Sequence, residues 1–263
     1  MSYREILPHP ALRALVDRFW VRSGEEAGGV LPTAALQPRC ILPDGCIDVM
    51  IGVDSHAVHV VGAMTRAFVL TAPAATTAAV RFRPGAAAAL LGVAAHELTD
   101  RRVPLGEIGG GWLSPRVLEA RSPLAAVRGL EAALLARAGS RARGAHSQPL
   151  VAQAVRACFG STPPSVAGLA RELGWSRQYL TRVLLDEVGV GAKQLLRVGR
   201  LQRAVDQLQR TEASLVQTAL DVGYFDQAHM CRDFRDLAGL RPSQVRASPV
   251  TIFPIRSLLS EAR

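Results

Sequence analysis

Lysine is almost absent from this 263-residue sequence, which contains Lys193 and no other lysine. Arginine supplies nearly all of the positive charge, and the formal net charge is still +9 with an isoelectric point near 10.5. Both halves of the chain are basic, so charge alone does not locate a binding surface. This excess of positive charge favours a polyanionic partner such as a nucleic acid.

Cysteine is scarce as well, and the four thiols follow no strong metal-binding pattern. Cys40 and Cys46 are separated by five residues, whereas Cys158 and Cys231 stand alone. We expect structural thiols rather than a disulfide framework or a metal site, because the protein is expected in the reducing cytoplasm. His56, which is also isolated, gives no better reason to predict a metal.

Long apolar runs are missing too. The longest uncharged apolar stretches lie near residues 67–80 and 84–95 and are too short to span a bilayer. The first five residues lack the basic-then-apolar layout of a signal peptide. We therefore expect a cytoplasmic protein without a membrane partner.

Motifs typical of enzymes are absent from the sequence. It contains no glycine-rich nucleotide loop, no Ser-centred elbow and no HExxH pattern. We accordingly predict that the protein is not an enzyme and that it needs no cofactor.

One pattern of about twenty residues occurs twice, about fifty residues apart. Ala170 and Gly174 of the first copy correspond to Ala219 and Gly223 of the second, and each Gly is followed by an aromatic residue. The second copy then has one extra residue, Phe225. After it, five further pairs match: Ser176 with Asp226, Leu180 with Met230, Arg182 with Arg232, Leu184 with Phe234, and Gly189 with Gly239.

These residue types are typical of a helix-turn-helix. The small Ala fits where two helices approach closely, and the Gly ends the first helix where the backbone needs a positive φ. Trp175 and the Tyr224–Phe225 pair are expected to fill the space beneath the turns. Ser176 and Asp226 are good N-caps for the second helices. Ser165 starts the first helix of the first copy, and residues 214–217 fit a capping box.

The second helix of each copy is predicted to read DNA bases. Its apolar residues recur at helical spacing, so the residues between them face outward. Arg and Gln are the side chains that pair with guanine and adenine edges in the major groove. The predicted base-reading residues are Arg177, Gln178, Thr181, Arg182, Gln227, His229 and Arg232. An alternative for Arg182 and Arg232 is that they pair with a nearby acid such as Asp233.

A long helix is predicted between the two copies, from about residue 192 to 210. Its apolar positions recur every three or four residues, and its other face is basic, so it is expected to act as a rigid spacer. Basic and hydroxyl side chains on and around the two copies are predicted to contact phosphates. The predicted phosphate contacts are Ser176, Arg200, Arg203, Arg241, Ser243 and Arg246.

Residues 150–246 resemble the AraC/XylS family of bacterial transcription regulators. The most specific part runs from Ala219 to Phe234 and continues through Gly239-Leu240-Arg241-Pro242-Ser243 to Arg246. Two positions depart from the family pattern: Leu184 replaces the signature Phe of the first copy, and Arg235 replaces a frequent Lys. The resemblance implies a DNA-binding regulator with two helix-turn-helix subdomains behind an N-terminal sensing or dimerising domain.

The first half of the chain mixes helical patterns with strand patterns, which predicts an α+β domain. Helices are expected around residues 10–20, 84–91, 94–98 and 123–138. Strands are expected on both sides of the Pro43-Asp44-Gly45 turn and within residues 56–71 and 76–83. The strands would form a small, barrel-like sheet. The predicted division is a sensing or dimerisation domain at 1–138, a linker at 139–147, an all-α domain at 148–248 and a tail at 249–263. Residues 42–48 and 80–86, followed by 98–100 and 103–105, resemble an uncharacterised N-terminal domain found on some regulators of this family.

Asp44, Asp48, Arg81 and Arg83 form the one notable polar group in this half. Arg81 and Arg83 alternate on a predicted strand and would point the same way, with Phe82 on the opposite face. Two guanidinium groups on one face suit a carboxylate or phosphate effector. The alternative is an Arg–Asp network that fixes the turn to the sheet. His59 and His96 are scattered and are expected to be ordinary surface or core histidines.

The predicted function is that of a sequence-specific transcription regulator that binds double-stranded DNA. An effector or a partner would act on the N-terminal domain, and a homodimer and contact with RNA polymerase are compatible with this prediction. One alternative is a thiol redox sensor that uses Cys40 and Cys46. A second is a DNA alkyl-repair methyltransferase, but the sequence lacks the four-cysteine zinc layout and the Pro-Cys-His-Arg signature of those enzymes.

Overall fold

The first half of the chain contains a six-stranded antiparallel sheet. The computed structural model describes residues 2–23, 39–70, 75–109, 111, 113, 115–141, 148–245 and 250–251. The strands are β1 (Ser2–Ile6), β2 (Val16–Ser23), β3 (Arg39–Ile41), β4 (Ile47–Gly52), β5 (Val58–Val61), β6 (Phe68–Leu70), β7 (Thr77–Phe82), β8 (Arg102–Pro104) and β9 (Val250–Thr251). The large sheet has the order β1-β2-β7-β4-β5-β8. It is open, with β1 and β8 at its edges, so the predicted α+β class is confirmed but the sheet is not a closed barrel.

The position of each strand follows from its side chains. Central β7 is buried at every residue, whereas β4 alternates between buried and half-buried positions. One face of the sheet packs on a core that contains Phe19, Val49 and Phe82. Such alternation is typical of a strand with one face in the core.

A second, smaller sheet has the order β6-β3-β9. The predicted strands on either side of the Pro43-Asp44-Gly45 turn exist, but β3 lies in this small sheet and β4 in the large one. In β9, Val250 and Thr251 pair in parallel with Cys40 and Ile41. Part of the predicted C-terminal tail therefore returns to the first half of the chain.

The predicted helix at residues 10–20 is wrong. Only Pro10–Leu12 form a short 3₁₀ helix, and β2 begins at Val16 and pairs with both β1 and β7. Val16, Phe19 and Val21 are β-branched or aromatic, and this central position in the sheet buries them. Tertiary packing has therefore overridden the local helical pattern.

Of the remaining helices of the first half, three agree with the predicted ones, whereas Leu105–Ile108 and Pro115–Leu118 were not predicted. The remaining helices are α1 (Ala87–Leu91), the 3₁₀ helices Ala95–Leu98 and Leu105–Ile108, α2 (Pro115–Leu118) and α3 (Pro123–Arg141). Helix α3 continues through residues 139–141, so the first three residues of the predicted linker are helical. The other predicted linker residues, 142–147, lie outside the described part.

The second half is helical. Its elements are α4 (Gln148–Phe159), α5 (Val166–Glu172), α6 (Arg177–Val188), α7 (Ala192–Arg210), α8 (Leu215–Asp221), α9 (Gln227–Asp233), which continues as a π-helical turn over Phe234–Ala238, and α10 (Pro242–Val245). Helix α7 has the bounds predicted for the spacer. Helices α5–α6 and α8–α9 are the two predicted helix-turn-helix units, called the first and the second unit below.

Residues of the first half complete the hydrophobic cores of both units. Ala63 packs into the core that contains α5 and α6. Cys40 and Leu42 pack into the core that contains α8 and α9. The N-terminal region, residues 2–141, therefore contacts both units at once. None of the helices within the described residues is long and apolar enough to cross a membrane.

Candidate nucleic-acid interface

The two units begin their helices in the same way. Ser165 and Ser176 cap α5 and α6, and each hydroxyl accepts a hydrogen bond from the backbone N–H three residues later. Ser214 and Asp226 do the same for α8 and α9. All four predicted N-caps are therefore confirmed. Each stabilises its helix by about 1 kcal/mol relative to Ala.

The predicted capping box at residues 214–217 is only half formed. The Ser214 hydroxyl accepts from the backbone N–H of Gln217 at 3.1 Å. The Gln217 side chain does not return to the cap, because its amide donates to a carboxylate oxygen of Asp221 at 2.6 Å. One of the two reciprocal bonds of the motif is thus replaced by an i,i+4 contact.

The turns of the two units have the same geometry. Gly174 and Gly223 have φ values of +68° and +89°, in the left-handed region. The N–H of the aromatic residue after each Gly donates to the carbonyl of the matched Ala at 2.8 Å, Trp175 to Ala170 and Tyr224 to Ala219. The sequence repeat is therefore also a repeat of backbone conformation.

The extra residue of the second unit does not fill the turn. Tyr224 is 3% exposed and packs in the core, whereas Phe225 is 86% exposed. Only Tyr224 has the predicted role beneath the turn. The one-residue insertion moves Phe225 outward because Tyr224 already occupies the position that Trp175 holds in the first unit.

The predicted base-reading residues of the first unit share the outer face of α6. Arg177, Gln178, Thr181 and Arg182 are all exposed. The Thr181 hydroxyl donates to the Arg177 carbonyl at 2.9 Å, which fixes its rotamer. The Arg182 guanidinium lies 5.2 Å from the ring centre of Tyr179, a cation–π distance that orients it without occupying its N–H donors.

The predicted base-reading residues of the second unit lie on α9. Arg232 is exposed, while Gln227 and His229 are half-buried. The His229 ring stacks edge-on against Tyr224, with ring centres 5.1 Å apart. His229 is therefore held by the core residue of its own turn.

Asp233 does not pair with Arg232 as the alternative proposed. It is 3% exposed, and its carboxylate accepts from Nε of Arg197, on α7, at 2.8 Å. Arg197 also binds Asp236 at 3.0 Å. Arg197 of the spacer helix therefore anchors the second unit, and Arg232 remains on the outer face. The sequence predicted a basic face on α7 but gave no signal for this partner of Arg197.

The predicted phosphate contacts differ in their surroundings. Arg203 is half-buried, and its guanidinium donates to the carbonyl oxygens of Gly160 and Val222 at 2.7 and 3.5 Å. Arg200 donates to the Gly223 carbonyl at 3.2 Å and lies over the Tyr224 ring. These two arginines hold the second unit on the spacer helix, which is a structural role that the prediction did not include.

The other predicted phosphate contacts remain at the surface. Ser176, Arg241 and Ser243 are exposed. Ser176 caps α6 at the end where the helix dipole favours an anion. Arg246 lies outside the described residues.

Arg81 forms a network with two aspartates. It is 4% exposed and donates to both carboxylate oxygens of Asp48 at 3.1 and 2.9 Å. It also makes an ion pair with Asp44 at 3.2 Å. Burial raises the pKa of Asp44 although the charge of Arg81 opposes this shift. Arg83 follows the last residue of β7 and is less buried than Arg81. This geometry matches the network alternative rather than an open anion site.

The network supports a turn that touches the helical region. A Cβ at Gly45, where φ is +74°, would lie 3.2 Å from Leu195 and 3.8 Å from Val188. The Pro43 carbonyl accepts from the side-chain amide of Gln202 at 2.7 Å. The Arg81 network thus holds the turn in the position where it meets α7.

The thiols are poorly placed for reactivity. Cys40, Cys46 and Cys158 are buried, and Cys231 is half-buried. Burial raises the pKa of Cys40, raises that of Cys46 well above its usual range, and raises that of Cys158 to about 12. The reactive form of a thiol is the thiolate, so these environments disfavour reaction.

The histidines lie apart from one another. His56 contacts the Leu118 carbonyl at 2.7 Å, His59 lies 3.3 Å from Arg102, and His96 lies 3.4 Å from Asp186. Within the described ranges, no group of three or more His, Cys, Asp or Glu side chains is arranged to hold a metal ion.

Two family models match the chain. Residues 169–248 match a helix-turn-helix domain, and residues 4–104 match a domain of unknown function, DUF6597. The chain therefore carries an AraC-type helix-turn-helix domain in its C-terminal part and a domain of unknown function in its N-terminal part. The resemblance that the sequence repeat indicated is confirmed.

Known proteins resemble the helix-turn-helix part. An uncharacterized HTH-type transcriptional regulator of Haemophilus influenzae is 35% identical over 80 residues, or 30% of this chain and 27% of the relative. Another from Staphylococcus aureus is 28% identical over 82 residues, or 31% of this chain and 11% of the relative. The chain thus spans about a quarter or less of the length of these relatives.

The solved structures that are similar to this chain include an AraC-type transcriptional regulator from Chromobacterium violaceum. It is 29% identical and covers 40% of this chain and 95% of its own, with a TM-score of 0.36. ToxT from Vibrio cholerae covers 94% of this chain and 98% of its own at 12% identity, with a TM-score of 0.40.

Proposed function

We propose that this protein is a sequence-specific DNA-binding transcription regulator. The observation that carries the proposal is the repeat of one helix-turn-helix geometry within a single chain, with polar side chains on the outer faces of both α6 and α9. Each second helix would enter the major groove, and α7 would set the distance between the two. The match to a helix-turn-helix domain and the names of the relatives support this function. Such regulators are typically not enzymes.

Arg182 and Arg232 are the leading candidates for direct base contacts. They occupy matched positions of the two units, are exposed, and have side chains suited to guanine. Gln178, on α6, and Gln227, on α9, have the amide that pairs with adenine. Arg177, Thr181 and His229 would complete the two reading surfaces, with Ser176, Arg241 and Ser243 at flanking phosphates.

The two units impose no two-fold axis within one chain. A monomer should therefore recognise an asymmetric site, made of two short boxes about one helical turn, roughly 34 Å, apart on one face of the duplex. The test is selection of duplexes from a randomised pool with the full chain, followed by footprinting of the enriched sequence. Two major-groove segments protected in phase would support the proposal. No enrichment, or one palindromic half-site protected by each subunit, would contradict it.

The N-terminal region is proposed to control this DNA binding. It packs against both units, so a change in its conformation would reach both reading helices. A small-molecule effector, a second copy of the chain or RNA polymerase would each act through this region or beside it. The Arg81 network argues against an anion site at Arg81 itself, because Asp48 and Asp44 already occupy the guanidinium.

Thiol redox sensing is the weaker alternative. Cys40 contacts the Ala238 carbonyl at 3.7 Å, so its oxidation would disturb the contact with the second unit. The thiol is buried and its pKa is raised, which opposes oxidation at neutral pH. The geometry therefore favours conformational control over thiol chemistry.

A further inference from the structure

Two side chains of the N-terminal region lie beside the C-terminal end of α6, in different grooves. His96 lines a groove of about 650 Å³ together with the outer face of α6, including Arg182 and Asp186. Arg66 lines a second groove of about 570 Å³, which also includes Gln194 of α7. Leu185 lines both grooves, so the two grooves adjoin at the end of α6.

Both side chains belong to one cross-linked part of the N-terminal region. Asp100 has φ of +56°, and its carboxylate accepts from the backbone N–H and the hydroxyl of Thr65 at 2.7 and 2.6 Å. These bonds tie the loop that carries Arg66 to the turn that follows His96. Arg66 and His96 are therefore held in a fixed arrangement.

This cross-linked part of the N-terminal region is also fixed to the end of α6. The Thr99 hydroxyl donates to the Gly189 carbonyl at 2.7 Å. A Cβ at Gly189, where φ is +93°, would lie 3.0 Å from the Ala95 carbonyl oxygen, so the backbones approach as closely as glycine allows. Gln194 donates to the Thr65 carbonyl at 3.1 Å. The positions of Arg66 and His96 relative to the reading face are thus set by direct contacts.

We propose that Arg66 and His96 extend the DNA interface by contacting phosphates that border the major groove that α6 enters. This inference rests on the proposed function. The groove is about 12 Å wide and a helix with its side chains fills it, so groups beside the end of the helix lie close to the phosphate backbones that border the groove. The N-terminal domain would then be a DNA-contacting part of the protein as well as its control region.

Charge supports DNA as the occupant of these grooves. Arg66 is exposed, and its guanidinium suits a phosphate. Asp186 and Glu187 are acids on this part of α6, and Asp236 lines the second groove, where Arg197 pairs with it. Asp186 lines the groove of His96 and would repel the DNA backbone. Nδ1 of His96 lies 3.4 Å from an oxygen of that carboxylate, so the protonated form of His96 would offset the repulsion. Both groups are about half exposed, and such a pair adds little to stability.

The test compares Arg66→Ala and His96→Ala with the wild-type full chain on its selected duplex. Each variant should bind several-fold more weakly, and by the same factor on selected and scrambled duplexes, because phosphates carry no sequence information. Loss of the Arg66 contact should also lower the slope of log K against log salt by about 1. Arg66→Lys should keep most of that slope.

Arg4→Ala is the matched control. Arg4 is an exposed arginine of the same region, but it lies on β1, at the opposite edge of the sheet from β8. Its removal should leave affinity and salt slope unchanged. Thermal unfolding of each variant checks that its fold is retained.

The outcomes separate this inference from the proposed function. Unchanged affinity in both Arg66→Ala and His96→Ala would overturn the inference and leave the proposed function standing. Tighter binding would also overturn it, because the N-terminal region would then hold DNA away from α6. A wild-type chain that enriches no duplex would overturn both.

Discussion

The side-chain amide of Gln202, in the spacer helix, donates a hydrogen bond to the carbonyl oxygen of Pro43 across 2.7 Å. Pro43 begins the turn that Arg81 holds in place through Asp44, and the next residue but one, Gly45, lies against Leu195. A buried ion network in the sheet is therefore connected through one turn to the helix that spaces the two units.

Replacing Gln202 by Leu should loosen this contact. The Pro43 carbonyl would lose its protein donor, at a cost of about 1 kcal/mol. We expect faster amide exchange in the turn and in the middle of α7, measured by hydrogen–deuterium exchange. Gln209→Leu is the control, because Gln209 is exposed on the same helix. If amide exchange in the turn and in α7 is the same in both variants, the hydrogen bond from Gln202 to Pro43 does not couple the turn to the helix.

Replacing Arg182 or Arg232 by Ala should weaken binding to the selected duplex by roughly 1–3 kcal/mol and relax discrimination at one base pair. The physical reason is the loss of a bidentate contact to a base edge. Binding titrations on selected and scrambled duplexes measure both effects. Equal losses on the two duplexes would make these residues phosphate contacts instead. Arg210→Ala, at the end of the spacer helix, serves as a control for the loss of charge.

Replacing Arg81 by Ala should destabilise the fold by about 3–5 kcal/mol, because two carboxylates would lose their buried partner. Thermal and denaturant unfolding measure this loss. Arg4→Ala is again the control. A melting temperature equal to that of the wild type would contradict the network interpretation and restore Arg81 as a candidate effector contact.

The loss of stability in the Arg81→Ala variant should depend on pH in a defined direction. The folded-state pKa of Asp44 is already raised by burial, and the loss of Arg81 should raise it further. A raised carboxyl pKa destabilises the folded state above the unfolded value, near 4. The stability deficit of Arg81→Ala should therefore grow as pH rises from about 4 toward the folded-state pKa and shrink in acid. Unfolding curves at several pH values check this, and a deficit that grows in acid would exclude Asp44 as its source.

Thiol titration should find Cys231 the most reactive of the four cysteines. It is half-buried, whereas Cys40, Cys46 and Cys158 are buried, and burial raises the pKa of each of these three. Mass spectrometry after brief alkylation identifies the modified residue, and Cys231→Ser provides the control. Rapid modification of Cys40 and Cys46 by peroxide, with altered DNA binding, would instead support the redox alternative.

The helix-turn-helix part was predictable because its determinants are local. Caps such as Ser176 and Asp226, and the glycines with positive φ, act within a few residues of themselves. The same holds for the bounds of α7, which follow from one amphipathic pattern. The outward position of Phe225 was not predictable, since it depends on which of two adjacent aromatic residues occupies one site in the core.

Long-range contacts set the limits of the sequence analysis. Residues 10–20 have a helical pattern, but the strands on both sides of β2 determine their conformation. The pairing of Arg197 with Asp233 joins positions 36 residues apart and leaves no local trace. The Arg81 alternatives remained open for the same reason, because only the packed sheet shows that Asp48 and Asp44 occupy both sides of the guanidinium.

The parallel pairing of β9 with β3 bears on how the protein is made. Cys40 and Ile41 meet partners that leave the ribosome more than two hundred residues later. Domains generally fold during synthesis in the order in which they emerge, and pairings between distant segments form slowly. The small sheet is therefore completed only after residue 251 has been translated. Until then β3 can pair only with β6, which leaves one edge of a growing polypeptide open to other strands.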